Sequence, residues 1–192
     1  MKPKILVFAG SARQESCNKK LVRCGLCLLE EAGAETTFVD LADFPMPLYD
    51  QDVEGETGIP ESVKKFKAQL KDHHGFLIGC PEYNSSITPL LKNTIDWCSR
   101  AESDEEPPMV CFSGKIAGLV AASPGGLGGL RGLRHVREIL GNIGTHVIPD
   151  QVALSSAYQA FDDQGALTDE GAKRRLTRFA ESLVKTTRGL ID

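Results

Sequence analysis

Short apolar runs and helical stripes of apolar residues alternate along the chain. Ile5, Leu6, Val7, Phe8 and Ala9 form an unbroken run that stops at Gly10, as expected of a strand buried on both faces. Past a polar turn, Leu21, Gly25, Leu28, Leu29 and Ala32 share one helical face, and Glu30, Glu31 and Gly33 close that helix. Residues 36–40 are β-branched and aromatic, which predicts a second strand. Residues 41–58, rich in Pro, Gly and Asp, read as one long loop, either of the kind that shapes a site or an interface or a disordered surface excursion. Pro60 opens a helix through Leu70, with Val63, Phe66 and Leu70 inward. A strand over 75–80, a polar segment at 81–86 and a helix over 89–99 with Leu91, Ile95 and Cys98 on one face come next. Residues 101–108, AESDEEPP, read as a solvated connector. A fourth strand over 116–122 runs into a glycine-rich loop and a helix carrying Leu133, Val136, Leu140 and Ile143. The fifth strand, 147–154, contains Pro149 and therefore suits a sheet edge. A loop at 155–168 precedes a last helix with the stripe Leu176, Phe179, Ala180, Leu183 and Val184.

This β-α alternation predicts an α/β fold: a flavodoxin-like three-layer sandwich around a five-stranded parallel sheet of order 2-1-3-4-5, in a single domain spanning 1–192. In that order strands 1, 3 and 4 are neighbours. The polar segments that follow them, 10–18, 81–86 and 123–129, then share the carboxyl edge of the sheet, beside the switch point where ligands of open α/β sheets bind.

Each segment has chemistry of its own. The first, GSARQESCN, places Ser11, Arg13, Ser16 and Asn18 before a helix N-terminus, where unpaired N–H groups and the macrodipole favour an anion. It lacks the glycine and lysine spacing of a triphosphate loop and the G-x-G-x-x-G of a dinucleotide fold. An ordinary capped turn, with Ser16 or Asn18 as N-cap, is the other reading. The second, PEYNSS, offers amides, hydroxyls and a ring, although Tyr83 also reads as a packing residue and Glu82 as a structural carboxylate. The third, SPGGLGG, lets backbone approach a ligand closely, or serves a helix start that needs unusual dihedrals. A monophosphate at one end and a flat polar ring between two close loops is the shape of flavin mononucleotide.

Composition narrows the classes. The 192 residues carry 22 basic and 26 acidic side chains, a formal net charge of −4, so neither a nucleic-acid footprint nor a polybasic membrane patch is indicated. No apolar run has the length of a membrane span, and the N-terminal stretch reads as a strand and not as a signal peptide. The six cysteines suit free thiols in a reducing compartment, the cytoplasm. Cys24-Gly25-Leu26-Cys27 lies too far into its helix for a redox motif, and no second pair completes a zinc site. His73, His74, His135 and His146 read as structural or surface residues.

Three stretches together resemble the NAD(P)H-dependent FMN reductase family, which includes quinone, azo-dye and chromate reductases. GSARQESCNKKL is similar to its phosphate loop, PEYNSSITPLLKNTIDW to its second motif and SPGGLGGLR to its third. The FPMPLY stretch at 44–49 fits the loop after strand 2, so the resemblance covers essentially the whole chain. It implies that Ser11, Arg13, Ser16 and Asn18 bind the FMN phosphate. Pro81, Glu82, Tyr83, Asn84 and Ser85 or Ser86 line the ribityl chain and ring, and Ser123, Gly125 and Gly126 approach the ring from the other side. It further implies NADH or NADPH as co-substrate, a quinone, free flavin, azo compound or chromate as acceptor, ping-pong transfer without a side-chain nucleophile or acid/base, and a homodimer or dimer of dimers in which Trp97 and 41–58 contribute contacts, simple core packing being the other reading of Trp97. The chain departs from the family at Ser85, where Gly is common, at Thr88-Pro89, where Pro-Gly is common, and in its longer acidic connector at 102–106. Three other readings are a flavodoxin-like electron carrier, a member that has lost its flavin, and a flavin-free Rossmann-type dehydrogenase with Asp40 in the place of the ribose-binding acid.

Overall fold

The computed structural model describes residues 1–191. Its elements are β1 (Lys4–Ala9), α1 (Cys17–Glu31), β2 (Glu35–Phe38), α2 (Gln51–Thr57), α3 (Glu61–Asp72), β3 (Gly75–Gly79), β4 (Glu82–Tyr83), β5 (Ser86–Ile87), α4 (Pro89–Cys98), β6 (Ile116–Ala122), α5 (Leu130–Asn142), β7 (His146–Leu154) and α6 (Glu170–Ile191). The main sheet is parallel with order β2-β1-β3-β6-β7, which is the expected 2-1-3-4-5 once the small β4-β5 hairpin is set aside.

The helices cover both faces. Leu21, Val22 and Leu29 of α1 and Leu176, Phe179 and Leu183 of α6 pack on one side with Ile5, Val7 and Leu77. Val63 and Phe66 of α3, Leu91 and Ile95 of α4, and Leu133 and Val136 of α5 pack on the other with Leu6, Phe8 and Ile78. Both faces of the central strands are thereby buried, which explains why β1 and β3 read as continuous apolar runs. Pro149 sits on the edge strand as expected, where the β6-β7 register jumps from Ala117↔Val147 to Leu119↔Gln151, so its missing N–H falls at an irregularity.

Several expectations need correction. Residues 41–58 are not one loop: a 3-10 turn at Leu41–Asp43 and the helix α2 lie within them. The sequence hid α2 because QDVEGET has no apolar stripe, and none of its residues is buried. Asp50 caps it, Asp52 and Glu54 occupy its first turn, and Glu54 accepts from Arg100 at 2.8 Å and from the Tyr49 hydroxyl at 2.9 Å, so capping and polar ties hold it in place of apolar packing. The segment is anchored on α4. Asn93 accepts from the Tyr49 N–H at 2.8 Å and donates to the Pro47 carbonyl at 2.9 Å, and the Trp97 indole donates to that carbonyl at 2.8 Å. Trp97 is fully buried with its ring edge-on to Tyr49, so it packs in the core and offers no surface to a second copy.

The acidic connector is not simply solvated either. Lys67 is fully buried and donates to the Arg100 carbonyl at 2.5 Å and to Glu106 at 2.7 Å, while Lys71 bonds Glu102 and Glu106 at 3.0 and 2.9 Å. A buried ammonium without partners would be strongly unfavourable, and the acidic residues answer that need. Burial pushes the Glu106 carboxyl up, but hydrogen bonds from Lys67 and Lys71 outweigh it and hold its pKa at about 2. Because the folded value lies below the unfolded one, this stabilisation is complete above roughly pH 4.5 and is lost as pH falls toward 2. Glu106→Gln is expected to cost about 2 kcal/mol at pH 7, with Lys67 keeping its other partners. Urea unfolding at stepped pH should show that gap closing below pH 4.5; a gap independent of pH would refute the pairing.

Candidate functional site

The segments after β1, β3 and β6 meet at the carboxyl edge, and side chains fasten them together. The buried Thr88 hydroxyl donates to the Gly10 carbonyl at 2.8 Å while accepting from the Leu91 N–H, so the N-cap of α4 also holds the first loop. Gly10 lies so close to α4 that a Cβ there would stand 2.7 Å from the Leu91 Cβ. Asn18, 4% exposed, donates to the Ala122 carbonyl at 2.9 Å and accepts from the Ala122 N–H at 3.0 Å, joining α1 to the end of β6. Glu82 accepts from the N–H groups of Arg131 and Gly132 at 2.9 and 3.1 Å and pairs with the Arg131 guanidinium at 2.7 Å. It thereby supplies the cap that α5 lacks, since Gly129 at the N-cap position has no side chain. Burial raises the Glu82 carboxyl, and the bonds from Gly132 and Arg131 reverse this and hold it below the usual carboxylate range.

A small cleft of about 80 Å³ lies between these loops, lined by Ser11, Arg13, Ser16, Asn18, Pro81, Glu82, Tyr83 and Ser123 from the sequence reading, together with Cys17, Ala122, Pro124 and Tyr158. That volume suits a phosphate and the chain attached to it, with any larger ring lying in the open mouth. The cleft is cationic at one end. Ser16 caps α1 by accepting from the Lys19 N–H, and Ser11 accepts from the Arg13 N–H at 3.3 Å. The N–H groups of Cys17 and Asn18 precede the first helical bond, from Lys20 to Ser16, and have no protein acceptor among the described residues. The exposed Arg13 guanidinium forms no ion pair among them. A helix N-terminus, two hydroxyls and a free guanidinium make a donor set for a dianion.

Other assigned residues do different work. Asn18 and Glu82 line the cleft, but their polar ends are committed to backbone and to Arg131. Asn84 and Ser85 form the tip of the hairpin with φ of 51° and 68°, and Ser86 turns away to contact His135 at 2.9 Å. In the third loop the left-handed backbone falls on Gly128 and Gly129, at φ 61° and 89°, where glycine carries no strain. At Gly126 an added Cβ would meet nothing, and at Gly125 only Ser123 Oγ at 3.7 Å. Packing does not require glycine at 125 and 126, and a flat ligand seated against that loop would. The residues present therefore fit FMN: a phosphate donor set at one end and a bare backbone face at the other. Asp40 is not free for a ribose, because it accepts from Lys19 at 2.6 Å and caps the 3-10 turn. Of the histidines, His73 bonds the Gln69 carbonyl and His74 accepts from the Lys4 N–H, both structural.

The residues that sequence reasoning missed are neighbours in sequence of those it named, except Tyr158. Its signal was its position: an aromatic just beyond the last strand, at the same carboxyl edge as the three loops.

Comparison with known proteins agrees with this geometry. The family model for NADPH-dependent FMN reductase matches residues 3–159. An NAD(P)H-dependent FMN reductase of Pseudomonas aeruginosa is 35% identical over 182 residues, covering 94% of this chain and 92% of that protein. An NAD(P)H:quinone oxidoreductase of Solanum tuberosum is 36% identical, covering 90% and 87%. Among solved structures, FerB of Paracoccus denitrificans, a flavoenzyme NAD(P)H:(acceptor) oxidoreductase, superposes with a TM-score of 0.82 at 26% identity over 97% of this chain and 98% of that one.

The hairpin tip yields a prediction. Two consecutive non-glycine residues with positive φ are the geometry of a tight hairpin turn, which favours glycine at the second position. Ser85→Gly should stabilise the protein by about 0.5–1 kcal/mol, the relief of left-handed strain exceeding the extra unfolded-state entropy. Urea unfolding with an unchanged m-value checks it; a destabilised variant would contradict this turn.

Proposed function

The chain belongs to the NADPH-dependent FMN reductase family, and from that footing we propose that it binds FMN in the cleft at the N-terminus of α1 and uses it to pass reducing equivalents from NADH or NADPH to a small acceptor, a quinone or a free flavin. The observation that carries the reading is the meeting of Ser11, Arg13 and Ser16 with Pro81, Tyr83 and Ser123 around one helix N-terminus. When bound, FMN supplies the hydride chemistry, so no side-chain nucleophile is needed.

The protein's part is to hold, orient and polarise. Ser11, Ser16, Arg13 and the N–H groups of Cys17 and Asn18 hold the phosphate. Pro81 and Tyr83 support the polar chain and one edge of the ring. Charge that develops on the ring calls for preorganised donors. The N–H of Gly125 is turned toward Ser123 Oγ at 3.3 Å, and that of Gly126, beside it, has no protein acceptor among the described residues. Thr88 and Glu82 keep these groups in register from outside.

Self-association fits the surface. Tyr83, Leu127 and Leu130 are 50%, 53% and 37% exposed on the hairpin and at the start of α5, which touch each other through Glu82 and Gly132. A second copy covering this apolar rim would shield the mouth of the cleft, and we read the protein as a homodimer or a dimer of dimers. No helix among the described residues is long and apolar enough to cross a membrane. Free thiols at all six cysteines suit the cytoplasm.

Arg13→Ala tests the assignment. It should weaken FMN binding at least tenfold, the loss of a charged hydrogen bond, measured by quenching of flavin fluorescence. The melting temperature without flavin should not change, because Arg13 has no protein ion pair among the described residues. A variant that keeps stoichiometric FMN after dialysis would place the phosphate elsewhere.

A further inference from the structure

A fourth segment reaches the cleft, and no motif accounts for it. Residues 155–168 follow β7, and Tyr158 is the one side chain among them that lines the cleft. The backbone around it is fixed from two sides. The buried Ala157 donates its N–H to the Ser123 carbonyl at 3.1 Å, which ties the segment to the third loop. Its carbonyl accepts from the Cys17 thiol at 3.8 Å, which ties it to the first residue of α1. Ser156 is held at φ 50°, a left-handed conformation that a non-glycine residue adopts at a cost of about 1–2 kcal/mol. Gln159 closes the turn by donating to the Ser156 carbonyl at 3.0 Å.

Strain that neighbouring bonds over-determine points to a side chain aimed for a purpose. Ala157 is pinned beside Cys17, so Tyr158 stands at the phosphate end of the cleft. It is 69% exposed and its hydroxyl has no protein partner among the described residues. A tyrosine kept for packing would be buried; this one offers a donor at the rim of a cationic pocket.

We propose that Tyr158 is a phosphate-recognition residue, its hydroxyl donating to the terminal phosphate of the bound flavin beside Arg13, Ser11 and Ser16. The proposal rests on the flavin reading above and adds a fourth loop to it. Its consequence is selectivity for the phosphorylated flavin, since riboflavin has no group there for the hydroxyl to meet.

The test is a pair of titrations, FMN and riboflavin, on wild-type protein and on Tyr158→Phe, followed by flavin fluorescence. Tyr158→Phe should weaken FMN about tenfold, the size of a hydrogen bond to a charged group, and leave riboflavin within twofold of wild type. Tyr158→Ala should behave the same way, because the ring packs against little. Equal weakening of both flavins would make Tyr158 a steric support of the cleft and overturn the proposal. Unchanged FMN affinity in Tyr158→Phe, with tight binding by wild type, would overturn the tyrosine alone. Wild-type protein that binds neither flavin would overturn the flavin reading and the tyrosine with it.

Discussion

The amide of Asn18 is the bond on which the site depends. An amide can donate and accept at once, and here it does both to one residue, Ala122, at the point where β6 ends and the third loop begins. Both partners are buried, so water does not compete, and breaking the pair would leave four polar atoms unsatisfied. It fixes the first turn of α1, with its unpaired N–H groups, against the strand that launches the glycine loop. Thr88 and Glu82 do the same for the other junctions: the hydroxyl joins the first loop to α4, and the carboxylate joins the second to α5. The three segments of the cleft thus behave as one rigid rim on the sheet.

The same economy separates the polar residues that build the site from those left free for a ligand. Asn18, Thr88 and Glu82 are spent on backbone, while Arg13 and the N–H groups at the start of α1 are left free. A donor set without protein partners is preorganised for an anion because little has to move when the anion arrives. The departure from the family at Thr88-Pro89 also finds a physical reason. Proline at the first helical position and threonine at the cap start α4 and hold Gly10 together.

Much of this was legible in the chain. The apolar runs of β1, β3 and β6 need burial on both faces, which implies helices on either side, and the order expected of five such units puts the switch point between strands 1 and 3. Lone, solvated or one-off features were not legible. The helix α2 has no apolar face to betray it, and the connector at 101–108 looks solvated until Lys67, 33 residues before Arg100, is found buried beneath it. The polar string PEYNSS does not tell its members apart: Ser86 contacts His135 of α5, whereas Tyr83 lines the cleft. Tyr158 had only its position after the last strand to mark it, because its place depends on pins from Ser123 and Cys17, which lie far away in sequence.

What remains is whether a flavin held in this cleft is reduced by a pyridine nucleotide and oxidised by an acceptor. An anaerobic titration of the purified, FMN-loaded protein followed by visible absorbance decides it most directly. One equivalent of NADH or NADPH per flavin should bleach the yellow colour, and one equivalent of a benzoquinone should restore it. Colour that neither nucleotide bleaches, or protein that retains no FMN on gel filtration, would contradict the account.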